Sequence, residues 1–127
     1  MNVEKAPYIF IAAMDVDPEK EALFHEVYDS EHVPALLEVP GVIWVRRLQA
    51  CDFSLAIGAG LSRIERGQTP RWHALYGIES PEVLKSAAWS EAIESGRWSS
   101  QVRPFTRHRR HTLLHAMPPC PDANEKE

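Results

Sequence analysis

Residues 14–47, MDVDPEKEALFHEVYDSEHVPALLEVPGVIWVRR, constrain the fold more than any other stretch of this chain. They read as the end of one strand, one amphipathic helix, a tight turn and a second strand. Asp17 is a good N-cap, and Pro18 stands at the first helical position, where its missing N–H costs nothing. Glu19 and Glu21 place negative charge at the positive end of the helix dipole. Leu23, Phe24, Val27 and Tyr28, then Leu36 and Leu37, follow near the three-four spacing of a single buried face. Glu31-His32-Val33-Pro34 interrupts the pattern. Pro34 removes a helical donor and restricts Val33, so the helix should kink or end there. Pro40-Gly41 makes the turn, and VIWVRRL is the next strand.

Around this unit the rest of the chain falls into order. Residues 8–14 form strand one, 18–37 helix one, and 42–53 strand two. Residues 54–69 carry three glycines and a closing proline nearby, and suit a lid, a hairpin extension or a short helix. GAG within them is no dinucleotide fingerprint, because Arg63 stands where the third glycine is required. Residues 71–79 are an aromatic-rich strand three. Ser80-Pro81-Glu82 repeats the cap, proline and acid signal and opens helix two over 81–95, with Gly96 as its C-terminal cap. Residues 105–117 are strand four, and 118–127 are a frayed tail.

The order β-α-β-β-α-β with right-handed crossovers gives an α+β, ferredoxin-like arrangement: a four-stranded antiparallel sheet with both helices on one face. Strands two, three and four carry apolar residues on both alternations, so the other face needs a cover. A second copy of the chain is the simplest, and a homodimer is expected.

A chain of 127 residues is long enough for one two-layer domain, expected over residues 1–117. A formal net charge of -4 with an ordinary apolar fraction describes a globular protein. No run approaches ~18 apolar residues, so no membrane span is expected. The lysine before a short apolar run near the start is faintly like a signal peptide. The run flows straight into a helix cap, however, and its β-prone residues suit a first strand better. Cys51 and Cys120 fit reduced thiols and a cytoplasmic setting.

The segment Tyr28-Asp29-Ser30-Glu31-His32-Val33-Pro34 before Pro40-Gly41-Val42, together with ALYGIESPEVLKSAAW, resembles the EthD-like branch of the dimeric α+β barrel superfamily. The likeness spans about residues 8–112 and implies a dimeric barrel. It also implies that the histidine position matched by His32 acts in the pocket. The long 54–69 segment and the basic, histidine-rich fourth strand depart from the pattern. The superfamily includes polyketide cyclases, muconolactone isomerases, cofactor-free monooxygenases, haem enzymes and aldoxime dehydratases, so the fold does not fix the function.

The residues themselves narrow the chemistry. An imidazole titrates near neutrality, which makes His32 the first candidate acid or base; the structural alternative is a hydrogen bond to backbone freed by the kink. Tyr28, His73 and Tyr76 form a second group, since a Tyr-His pair can polarise a carbonyl and remove the adjacent proton. Residues 73 and 76 lie on opposite faces of a regular strand, so both reach one pocket only through a bulge. Trp44, Trp72, Trp89 and Trp98 would build core or dimer interface or, on the functional reading, a flat apolar pocket whose wall is Trp44 or Trp72. Arg46 and Arg47 face opposite sides of the sheet, and one of them, Arg46, would bind a carboxylate or phenolate; the alternative is a surface ion pair.

Arg107-His108-Arg109-Arg110-His111 and His115 invite metal or nucleic-acid readings. Strand parity sets His108 apart from His111 and His115, so no three-histidine site is offered, and no nucleic-acid motif accompanies the charges. Their outward charges are expected to pair with acids of helix one or of the partner copy. No G-x-S-x-G elbow is present. The expectation is a cofactor-free enzyme of catabolic or secondary metabolism acting by proton transfer on an aromatic, polyketide-like or lactone substrate. Cyclisation, isomerisation, dehydration or a related lyase step would fit. Rivals are a non-catalytic small-molecule-binding accessory protein and a haem- or oxygen-dependent oxidoreductase.

Overall fold

The computed structural model describes residues 5–117; the expected tail with Cys120 lies outside them. Six strands appear: β1 (Tyr8–Val16), β2 (Val42–Gln49), β3 (Phe53–Ile57), β4 (Gly60–Ile64), β5 (Trp72–Ile78) and β6 (Thr106–His115). Four of them form one antiparallel sheet in the order β2-β5-β1-β6, which is the ferredoxin-like arrangement expected from the element order. Residues 54–69 resolve into the hairpin option. β3 and β4 pair as a separate two-stranded sheet, and strand two stops at Gln49 rather than running to Phe53.

The first helical connection is nearly continuous: a 3-10 turn (Pro18–Lys20), α1 (Glu21–Val27), a π-helical turn (Tyr28–His32) and α2 (Val33–Leu37). The expected interruption is present, but it sits ahead of Pro34 and does not end the helix. Val33 N–H reaches back five residues to the Tyr28 carbonyl, and Pro34 then falls in the first turn of α2, where helix donors are spare. Asp17 does not cap with its side chain. That carboxylate pairs instead with Arg107.

Helix two is shorter than expected. A 3-10 turn (Pro81–Lys85) ends at Ser86, whose backbone is extended, and α3 (Ala87–Glu94) starts anew there. Two serines cap the two pieces: Ser80 Oγ accepts from Glu82 N–H at 3.1 Å, and Ser86 Oγ accepts from Trp89 N–H at 3.1 Å. A second π-helical turn (Trp98–Val102) and a 3-10 turn (Arg103–Phe105) lead into β6.

The core lies between sheet and helices. Phe24, Val27, Leu36, Ile78 and Val102 are fully buried there with Met14, Ala74 and Tyr76. Register puts the other alternation on the opposite face: Trp44, Arg46 and Leu48 beside Gly77, Leu75 and His73, with Ile9, Ile11 and Leu114 beyond. The Trp44 indole lies against Gly77 so closely that a Cβ there would stand 2.4 Å from its ring. Among the described residues no helix is long and apolar enough to cross a membrane.

Candidate active-site cleft

Between the helices and the sheet lies a cleft of about 320 Å³, walled by Phe10, Ala12, Met14, Tyr28, His32, Tyr76, Trp89, Ile93 and Trp98. Glu94, Arg103, Arg109 and His111 complete its lining. The π-helical turn supplies Tyr28 and His32. Glu31 in the same turn clamps the facing segment: its Oε1 accepts Arg97 N–H at 2.9 Å and its Oε2 accepts Arg97 Nε–H at 2.6 Å. Gly96 allows this contact. Its φ of +65 is left-handed, and a Cβ there would lie 2.5 Å from Glu31 Oε1. The clamp carries Trp98 onto His32, with ring centroids 4.3 Å apart and planes at 20°. Tyr28 meets both rings edge-on, each at 5.0 Å.

From the sheet, Tyr76 brings its hydroxyl to 3.4 Å from that of Tyr28. Arg47 backs the pair, its guanidinium 4.5 Å over the Tyr28 ring and bonded to Asp29 Oδ1 at 2.9 Å and His25 Nδ1 at 2.9 Å. On the other side, Arg103 is committed to Glu94 through two contacts of 3.2 and 2.9 Å and to the Ile93 carbonyl at 3.2 Å. His111 stacks on Phe10 at 5.6 Å.

Burial controls the ionisation of these groups. Desolvation, with the Arg103 charge second, pulls the His32 imidazole down from 6.5 to about 4. Burial raises the Tyr28 hydroxyl, against the opposing effects of the Tyr76 hydrogen bond and Arg47. Burial, reinforced by Tyr28, pushes Tyr76 well above its ordinary value. At neutral pH the His32 imidazole and the Tyr28 and Tyr76 phenols in the cleft are therefore uncharged. His32 Nδ1 is buried with no partner, so the ring does not bond a freed backbone group through it.

Of the residues singled out from sequence, Tyr28, His32 and Tyr76 come together here. His73, Trp44 and Arg46 do not: strand alternation puts them on the opposite face of the sheet. Trp72 is on the helix side but packs edge-on against His25 at 4.5 Å and does not line this cleft. Trp89 and Trp98, which the sequence offered with Trp44 and Trp72 as core, interface or an apolar pocket, do line the cleft. Sequence reasoning missed Arg103, Arg109 and His111 as cleft residues, and of these only His111 carried a usable signal, its parity with His115. Among the described residues no three His, Cys, Asp or Glu side chains gather as a metal site.

No family model matches the sequence, and no curated protein matches it. Solved structures do. HapK from Hahella chejuensis superposes with a TM-score of 0.58 at 10% identity, covering 91% of this chain and 98% of HapK. An EthD family protein from Bacillus halodurans C-125 gives a TM-score of 0.54 at 12% identity, over 87% of this chain and 99% of that one. The fold is that of the dimeric α+β barrels. MhuD from Mycobacterium tuberculosis, a haem degrader with two haems bound in its active site, gives 0.52 at 14% identity, over 87% and 95%. At such identities the likeness to these barrels is one of fold.

Proposed function

We propose that this chain is a small cofactor-independent enzyme that binds a substrate of aromatic, polyketide-like or lactone type and moves a proton on it. One observation carries the reading: a buried, uncharged imidazole and two uncharged phenols line the same apolar cleft. A substrate carbonyl in the cleft accepts a hydrogen bond from one phenol while the other phenol donates within the Tyr28–Tyr76 pair. The bond acidifies the adjacent C–H. His32, its Nδ1 buried and keeping the ring proton, takes the carbon-bound proton at Nε2 and returns it at a second position. Because burial disfavours the imidazolium, the proton is passed on rather than held. Cyclisation, isomerisation and dehydration share this enolisation step.

An apolar aromatic ketone, 2-tetralone, tests the reading. In D2O the protein should accelerate α-deuteration above the buffer rate, measured by mass spectrometry, and His32→Gln should lose about 100-fold or more of that acceleration. Tyr76→Phe should lose a smaller share. A ketone that quenches Trp fluorescence on binding but exchanges no faster than in buffer would make this a binding protein and not an enzyme.

MhuD motivates a second reading, a haem-dependent oxidoreductase. The observation favouring it is the pair of imidazoles, His32 and His111, that line the cleft, one with a partnerless nitrogen. Either would hold haem iron, and haem would supply oxygen-activating chemistry. Adding hemin and recording the Soret band distinguishes the readings: an unshifted band leaves the proton-transfer reading standing alone.

We further infer that the helix-free sheet face is covered by a second copy of the chain. The apolar residues Leu48 and Leu114 stand exposed on this side of the molecule.

A further inference from the structure

The cleft has a charged neighbour at the edge of the sheet. Between Ala13 and Asp15 of β1 and Arg110 and Arg107 of β6 the register slips by one residue. His108 stands in that bulge with a φ of +56, a left-handed conformation uncommon outside glycine. Asp15 Oδ2 holds it there through His108 Nδ1 at 2.9 Å, while Asp15 Oδ1 accepts Arg71 N–H at 2.8 Å. The bulge opens onto a second cavity of about 600 Å³, lined by Asp15, Arg66, His108, Arg109 and Arg110 among others. Three guanidiniums face one carboxylate there, in a chain whose formal net charge is -4.

These arginines differ in what they already do. Arg66 donates to the Thr69 carbonyl at 2.7 Å and lies 3.9 Å from Asp15. Arg107 is paired with Asp17, and Arg103 with Glu94. The side chains of Arg109 and Arg110 make no hydrogen bond or ion pair among the described residues. A solvated surface arginine is ordinary, so this alone says little. Arg109, however, lines both cavities, the apolar cleft and the basic one. A guanidinium fork matches the two oxygens of a carboxylate or phosphate, and a concave basic surface focuses the field on them.

We propose that the ligand of this protein is an arene carrying an anionic arm, a carboxylate or phosphate, with its apolar body against Trp98 in the cleft and its anion on Arg109 in the basic cavity. This rests on the reading of the cleft as the substrate site and specifies the substrate class for it. The bulge is then a positioning device: by adding one residue to β6 it sets Arg109 at the junction of the two cavities.

Three probes test it by calorimetric titration of the whole protein: 2-naphthalenemethanol, 2-naphthoate and 2-naphthyl phosphate. The expected result is that an anionic probe binds about tenfold or more tightly than the neutral one, with the advantage shrinking as salt rises. Whichever anion gains more is the arm the site is built for. Arg109→Gln should erase the advantage and leave affinity for the neutral alcohol unchanged, which also shows that the variant is folded. Equal affinities in the wild type, or a preference that survives Arg109→Gln, would overturn the proposal while leaving the cleft reading intact. A neutral alcohol that fails to bind would remove the cleft reading, and the proposal with it.

Discussion

Burial holds His32 uncharged, and the same burial makes the folded protein sensitive to acid. The unfolded chain binds a proton on this imidazole near pH 6.5, the folded protein only near 4. Between those values the unfolded state carries more protons, so stability falls as pH drops through the window, by about 3 kcal/mol in total. Glu31, held low chiefly by the Arg97 N–H, acts in the same direction below the ordinary carboxylate range. The share of His32 is therefore read by difference. His32→Leu should flatten the stability profile between pH 6.5 and 4 relative to the wild type, measured by urea unfolding at each pH. Equal slopes would show that the ring is not buried uncharged. At this scale the sequence singled out His32, Tyr28 and Tyr76 by residue type and place. Parity only set Tyr76 opposite His73 without saying which of them meets the helices, and the helix spacing broke off at His32. Arg109 was not legible. Its place at the junction of the two cavities depends on a one-residue bulge, and a bulge inverts any parity argument carried across it.

Elements were more legible than their ends. The strand and helix order follows from alternation, caps and Pro-Gly, all of which act locally. The Ser86 break in helix two and the displaced interruption in helix one were not legible, because each depends on what packs against it. At Ser86 the hydroxyl competes successfully for a new helix start, and in the π-helical turn the Glu31–Arg97 clamp sets the path. Gly77 gives a prediction on this scale. Its neighbours on β5 have side chains, but the Trp44 indole occupies the space where a Cβ would stand, 2.4 Å from the ring. Gly77→Ala should cost about 1–3 kcal/mol by overpacking, measured as a shift in urea midpoint at unchanged slope. Trp44→Leu combined with it should recover part of the loss. A single substitution without effect would mean that the indole moves freely off the sheet.

The whole molecule leaves apolar surface on two elements at once. Leu48 and Leu114, 50% and 49% exposed, stand on the helix-free side of the sheet. On the hairpin, register sets Phe53, Leu55, Ile57 and Ile64 on one side, all exposed. A lone two-stranded hairpin is marginal in water, so its apolar side also calls for a cover. A second copy meeting sheet to sheet would supply one, and native mass spectrometry should then show twice the 14.4 kDa chain mass. Leu48→Glu and Leu114→Glu should each raise the dimer dissociation constant by at least about tenfold, since a charge in an apolar contact is left unpaired. Leu113→Glu is the control that makes this specific. Leu113 is the next residue on the same strand and 41% exposed, but it pairs with Phe10 on the helix side. Its substitution should leave association unchanged. Loss of the dimer in all three variants would show disturbed folding of β6 instead of a sheet-face interface, and a monomeric wild type would remove the interface altogether.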